Sequence, residues 1–148
     1  MGEIAMIVSE IMQTNVITIG MDDTLEHIQK LFEKHKFHHV LVVEEGELLG
    51  VISDRDVLKE ISPHINTLSE DSRALQTLKK KAHQIMTRTP ITAEKHTRME
   101  DAAKLMLDKV ISCLPIVSES GQIEGILSMK DIMRYYIERD GGTDLSVL

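Results

Sequence analysis

Val40-Leu41-Val42-Val43-Glu44-Glu45-Gly46-Glu47-Leu48-Leu49-Gly50-Val51-Ile52-Ser53-Asp54-Arg55-Asp56 decides the architecture. An apolar β-branched run meets a charged turn with glycine free to take positive φ, a second apolar run returns, and a serine opens a helix. The chain writes this passage twice. Leu114-Pro115-Ile116-Val117 is followed by the turn Ser118-Glu119-Ser120-Gly121, then Gly125-Ile126-Leu127, then Ser128-Met129-Lys130-Asp131. Upstream the register persists: Ile11-Met12 recurs as Ile85-Met86, and Ile17-Thr18 as Ile91-Thr92. The second copy carries one extra turn residue, after which Gly46, Gly50, Ser53 and Asp56 meet Gly121, Gly125, Ser128 and Asp131. Internal repetition of this kind marks duplicated supersecondary units.

Each copy reads outward in the same way. Residues 16–19 form a β-branched strand, and Leu25, Ile28, Leu31 and Phe32 follow at helical spacing behind Thr24 as N-cap. After the hairpin, Ser53 caps a helix carrying Val57, Leu58 and Ile61 that ends before Pro63. The second copy predicts a strand over 91–93, a helix with Met99, Ala102, Ala103 and Met106, strands over 114–117 and 123–127, and a helix over 130–137 that stops at Asp140-Gly141-Gly142. Amphipathic segments precede both copies: Ile4, Ile7, Val8 and Ile11 share one face, as do Leu75, Leu78, Ala82, Ile85 and Met86. The expected organisation is an N-terminal helix and first repeat over 1–62, a linker over 63–73, a second repeat over 74–140 and a tail over 141–148. The fold class is α/β (α+β), two βαββα repeats packed sheet to sheet about a pseudo-twofold axis, because one three-stranded sheet alone cannot cover both its faces.

Composition narrows function. The 148 residues are 42% hydrophobic and 28% charged, ample for a core, and no stretch approaches the roughly 18–20 apolar residues of a membrane span. Met1-Gly2-Glu3 begins neither a secretory signal nor a myristoylation pattern, since position 6 is Met. The formal charge of −7 argues against a duplex-binding surface, and Lys79-Lys80-Lys81 reads as a solvated helix face. The one cysteine, Cys113, permits neither an internal disulfide nor a cysteine-based zinc site, and it reads as a small buried hydrophobe in a reducing cytoplasm. No base, nucleophile and anion hole stand together in the pattern, so the chain is read as non-enzymatic.

The order Ile11-Met12, Val16-Ile17-Thr18-Ile19, His38-His39, Gly46 and Gly50-Val51-Ile52-Ser53-Asp54-Arg55-Asp56 resembles a CBS domain. The passage from Ile85-Met86-Thr87 to Asp131 resembles another, and the pair resembles a Bateman module from about Val8 to Tyr136. The resemblance implies an adenosine ligand (AMP, ADP, ATP or S-adenosylmethionine) between the paired sheets, a homodimer, and regulation of a separate protein. No further cofactor, nucleic acid, membrane or metal is implied.

The chemistry centres on Ser53-Asp54-Arg55-Asp56 and Ser128-Met129-Lys130-Asp131. The plain account is a capping box at each helix start. Such boxes favour the longer Glu or Gln, so aspartate in both copies suggests an acceptor aimed elsewhere, able to take both hydroxyls of a ribose. The resemblance assigns that ribose role to Asp56 and Asp131. Ser53 and Ser128, with the helix-start amides, then face phosphate, and Arg55 and Lys130 add charge there. Thr18 and Thr92 sit in the first strand of each repeat, either as β-branched fillers or as contacts to base or phosphate. Adjacent strand residues point to opposite faces, so His38 and His39 cannot easily chelate one ion; one packs at the sheet edge and the other, taken as His39, borders the groove. Pro115 fills the family's Leu-Pro position, where the first repeat has Val40-Leu41. Asp54 puts an extra negative charge beside the phosphate expected at the first site, where the second copy has neutral Met129, which predicts unequal sites, with more phosphates accepted by the second.

Overall fold

The structure is a computed structural model that describes residues 6–61 and 70–141. The chain divides into two compact units: Ile17–Pro90, here the Asp56 unit, and Met1–Val16 joined with Ile91–Leu148, here the Asp131 unit.

In the Asp56 unit, β1 (Thr18–Ile19) runs parallel to β2 (His39–Glu44), which pairs antiparallel with β3 (Glu47–Ser53). The hairpin turn places Glu45 at φ 52° and Gly46 at φ 81°, the two positive values a two-residue type I′ turn requires. Between β1 and β2 lies α1 (Leu25–Lys34), capped by Thr24, whose hydroxyl accepts from the His27 amide at 3.3 Å. Helix α2 (Asp54–Ile61) follows β3 directly. Strand alternation sends Val40, Val42 and Ile52 into one cluster with Ile19, Leu25, Ile28, Val57 and Ala82, while Leu41, on the opposite face, is also fully buried.

The Asp131 unit repeats the pattern with α5 (Met99–Lys109), β5 (Cys113–Val117), β6 (Ile123–Ser128) and α6 (Met129–Gly141). A single parallel bridge, Ala93 to Ile116, stands where the Asp56 unit has β1. The extra turn residue is absorbed by a three-residue loop. The Ser118 amide donates to the Gln122 carbonyl at 2.8 Å, and Gly121 at φ 87° donates to the Ser118 carbonyl at 2.9 Å. Met99, Ala102, Met106, Leu114, Ile116, Leu127 and Ile132 form its core, with Val8 among them.

Val8 lies far outside the second repeat in sequence, and it marks a regrouping. The expected N-terminal helix is, within the described residues, one 3-10 turn, Val8–Glu10. Its Val8 amide donates to the Thr97 carbonyl at 2.8 Å, and the Gln13 and Ile126 amides and carbonyls bond reciprocally at 2.9 Å. The segment before the first repeat thus completes the second repeat's sheet. The converse holds: α3 (Glu70–Leu78) and α4 (Ala82–Ile85) lead to β4 (Thr87–Arg88), which pairs with β3, Gly50 opposite Arg88 and Val51 opposite Thr87. No strand was expected at 87–88. Residues 70–73, placed in the linker by sequence, are helical, whereas 62–69 and 142–148 lie outside the described residues. Leu75 is exposed despite its apolar spacing.

The recurring Ile-Met pairs acquire a reason. A Cβ on Gly50 would stand 2.5 Å from Met86 Sδ, and one on Gly125 would stand 2.7 Å from Met12 Sδ. Each leader methionine lies on the bare glycine of the other repeat's returning strand, and a thioether chain moulds well to such a gap.

Candidate functional site

The ends of β2 and β3 bring His39 opposite Ser53, and the chain passes from Ser53 straight into α2. The equivalent register puts Cys113 opposite Ser128 at the start of α6. In both units the first helical amide is tied back to the hairpin: Asp54 N donates to the His38 carbonyl and Met129 N to the Ser112 carbonyl, each at 2.9 Å.

Both Ser-x-x-Asp elements close as reciprocal capping boxes. The Ser53 amide donates to Asp56 Oδ2 at 2.8 Å and the Asp56 amide to Ser53 Oγ at 3.1 Å. The Ser128 amide donates to Asp131 Oδ2 at 3.0 Å and the Asp131 amide to Ser128 Oγ at 3.1 Å. The expectation that aspartate aims away from the box is corrected: its short side chain reaches the cap amide because Ser and Asp sit on one helical turn. Only Oδ2 is engaged in this way, so Oδ1 of each carboxylate retains acceptor capacity.

The two Oδ1 atoms have different neighbours. Asp131 Oδ1 accepts from Gln13 Nε2 at 3.3 Å and lies 3.4 Å from the Arg134 guanidinium; its residue is buried. Asp56 is half-buried, and no contact of this kind to its Oδ1 occurs among the described residues. Its neighbour Asp54 pairs instead with His38 at 2.8 Å, Oδ2 to Nδ1. Arg134 stands three residues from Asp131 and could have been read from spacing. Gln13 could not, because it is 118 residues away and reaches Asp131 only through the exchanged leader.

The other expected site residues are distributed as follows. Arg55 and Lys130 are exposed on the first helical turns. Thr18 is exposed on β1 opposite Leu41, one strand over and two residues along from the His39–Ser53 pair. Thr92 is half-buried beside Ala93, whose amide donates to the buried Pro115 carbonyl at 3.1 Å. His38 and His39 part: the first is exposed on Asp54, the second half-buried. An open cavity of about 360 Å³, lined by Glu94, Lys95, His96, Ser118 and Glu124 among others, lies at the hairpin end of the Asp131 unit, opposite its helix start.

Burial holds the His39 imidazole below its ordinary 6.5, with His38 acting in the same direction and Asp54 and Asp56 opposing. His39 is then neutral when folded, while the unfolded chain takes up a proton as pH falls through 6.5. Stability contributed by the neutral form is complete above that value and is lost below it, down to the depressed folded pKa. We expect the urea midpoint to fall between about pH 7.5 and pH 5.5, and His39→Gln to remove part of that slope. An unchanged slope in the variant counts against the assignment.

Two βαββα repeats, each ending in a serine–aspartate box at a helix start, define a tandem small-domain module. Residues 8–63 and 82–138 each match the CBS domain, and the chain belongs to the CBS domain family. It is 31% identical over 135 residues to a CBS domain-containing protein of Dictyostelium discoideum, covering 89% of this chain and 92% of that one. Of other relatives it spans less: 61% of a Methanopyrus kandleri protein and 22% of a homoserine O-acetyltransferase of Methanosarcina acetivorans. Its fold is similar to the CBS domain pair of protein MJ0100, solved in complex with 5′-methylthioadenosine and S-adenosyl-L-methionine, at TM-score 0.76 and 28% identity over 91% of this chain and 98% of that one. It is also similar to CBSX2, solved in complex with AMP, at TM-score 0.74 and 25% identity over 90% and 98%. No helix among the described residues is long and apolar enough to cross a membrane.

Proposed function

We propose that this chain is a cytoplasmic binding module, not an enzyme, that takes an adenosine-containing small molecule and signals its occupancy to a separate protein. The observation that carries the reading is the duplicated aspartate. Each carboxylate is oriented by its own helix start through Oδ2, and its Oδ1 is the atom offered to a ribose, which at Asp131 has to displace or share the Gln13 amide and the Arg134 guanidinium. A group locked by its backbone loses little side-chain entropy when a ligand binds. Adenosine ligands in the related structures of MJ0100 and CBSX2 support the same chemistry. Thr18, His39, Ser53 and Arg55 in one unit, and Thr92, Pro115, Ser128 and Lys130 in the other, complete the proposed lining. No other cofactor is invoked.

The test is a thermal melt with AMP, ADP, ATP and S-adenosylmethionine. A ligand at about 100 times its Kd adds roughly 2.7 kcal/mol, a shift of about 5 °C or more for a chain of this size. Replacing Asp56 and Asp131 together with Asn keeps an acceptor for the cap and removes the shift. A second reading, a ligand-free homodimeric scaffold, is favoured by one observation: Leu58 on α2 and Met133 and Ile137 on α6 are exposed apolar side chains. A dimer in sedimentation with no melt shift for any of the four ligands establishes the scaffold and removes the sensor.

A further inference from the structure

We propose that Met12 and Met86 are modification sites for a hydroperoxide, and that their oxidation to the sulfoxide loosens each leader segment from the sheet edge it completes. The proposal stands apart from the adenosine reading and rests on neither helix-start aspartate.

The two thioethers occupy equivalent places. Each belongs to the Ile-Met pair ahead of one repeat and lies over a glycine in the returning strand of the other. The position a Cβ would take at Gly50 is 2.5 Å from Met86 Sδ, and the position it would take at Gly125 is 2.7 Å from Met12 Sδ. Sulfur fills the space of the missing side chain and seals the joint between leader and strand. Both methionines are half-buried and pack at the margin of their clusters, so a small oxidant reaches them from solvent. Met99 and Met106 are fully buried and closed to it, while Met133 is exposed on α6, where an added oxygen is hydrated.

The step needs only the peroxide. A sulfur lone pair takes the terminal peroxide oxygen: the S–O bond forms and the O–O bond breaks. The departing oxygen takes up the proton of the transferred hydroxyl and leaves as water or an alcohol. The thioether is oxidised by two electrons and the peroxide is reduced by two.

The product fits the joint poorly. A sulfoxide is polar and chiral. The Thr87 carbonyl oxygen stands 2.9 Å from the Cβ position of Gly50, and the Gln13 carbonyl oxygen 2.9 Å from that of Gly125. Both are acceptors, as the sulfoxide oxygen is, so neither can pair with it. If the side chain swings into water instead, the glycine is left bare and its packing contacts are lost. Both outcomes weaken the same joint, and little pairing holds it. On one side are the two-residue β4 and the Thr89 amide donating to the Leu49 carbonyl at 3.2 Å; on the other is the reciprocal Gln13–Ile126 pair at 2.9 Å. In the Asp131 unit a loosened leader also takes Gln13 away from Asp131.

The test treats the isotope-labelled full chain with hydrogen peroxide. Methionine methyl NMR signals follow each sulfoxide, and amide hydrogen exchange is read on the same samples. Met133 should oxidise first, Met12 and Met86 next, Met99 and Met106 last. The Gln13 and Ile126 amides should lose protection by about tenfold or more as Met12 oxidises, and the Thr89 amide as Met86 does, with neither loss following Met133. Methionine sulfoxide reductases with a dithiol should restore both. Met12→Leu and Met86→Leu remove the sulfur at similar volume and should hold their protection through the same treatment. Should a leucine loosen its leader before peroxide is added, the unaltered chain decides through the match between each sulfoxide and its amides. The proposal is overturned if Met12 and Met86 oxidise no faster than Met99 and Met106. It is equally overturned if protection survives their full oxidation, or if a well-packed leucine variant loses protection to the same extent.

Discussion

Replacing Val8 with Asp is expected to unfold the second repeat while leaving the first largely intact. Val8 is fully buried among Met99, Met106, Leu114, Ile116 and Leu127, and its segment is stitched to the same unit by the Val8–Thr97, Ser9–Lys95 and Met99–Met6 backbone bonds. A carboxylate there has no partner in a close-packed apolar cluster. It either stays charged without hydration or takes up a proton at a large cost, and about 4 kcal/mol or more is lost, a large share of a small domain's stability. The chain's one thiol gives a direct readout, because Cys113 lies in β5 of the affected unit and is only 7% exposed. In Val8→Asp it should react with a thiol reagent orders of magnitude faster, and hydrogen exchange should rise across β5 and β6 before β2 and β3. Were the repeats folding units continuous in sequence, exchange would rise first in β2, and that result overturns the exchanged-leader packing.

Gly50→Ala and Gly125→Ala form the second large expectation. At Gly50 the new methyl meets Met86 Sδ at 2.5 Å and the Thr87 carbonyl oxygen at 2.9 Å; at Gly125 it meets Met12 Sδ at 2.7 Å and the Gln13 carbonyl oxygen at 2.9 Å. A methionine can swing aside, but a carbonyl held in a ladder cannot. Thr87 is paired with Val51, and Gln13 bonds Ile126 in both directions at 2.9 Å. Each substitution therefore forces the leader strand off its sheet edge, at a cost of about 1–3 kcal/mol. The denaturant midpoint measures it. Adding Met86→Ala to Gly50→Ala should recover only part of the loss, since the backbone contact remains. Full recovery shows that the methionine alone made the fit tight. At Gly125 the consequence extends to the site, because displacing the leader also withdraws Gln13 from Asp131.

Much of the architecture was legible because its causes are local. Continuous apolar runs on either side of a polar turn produced the hairpins, Gly46 and Gly121 took their positive φ, and Thr24, Ser53 and Ser128 opened helices. The site was legible only as an ambiguity. A serine three residues before an aspartate is equally a cap and a ligand clamp, and in both units the cap forms through Oδ2 alone, while Oδ1 of Asp131 also meets Gln13 and Arg134. His38 on Asp54 is a contact between neighbouring element ends, 16 residues apart, that no spacing in the sequence announces.

By itself the sequence determined the duplicated βαββα pattern, the turn chemistry and the residues that converge at each helix start, since periodicity and capping depend on neighbours a few positions apart. Only the tertiary structure decided which core each leader joins and what flanks each carboxylate. An apolar face such as that of Ile7, Val8 and Ile11 declares that it must be covered but not by what. A two-residue edge strand, or a glutamine 118 positions from its acceptor, leaves no period to read. The physical reason is that such contacts are selected by fit between distant surfaces, here a methionine on a bare glycine, once the local elements already exist.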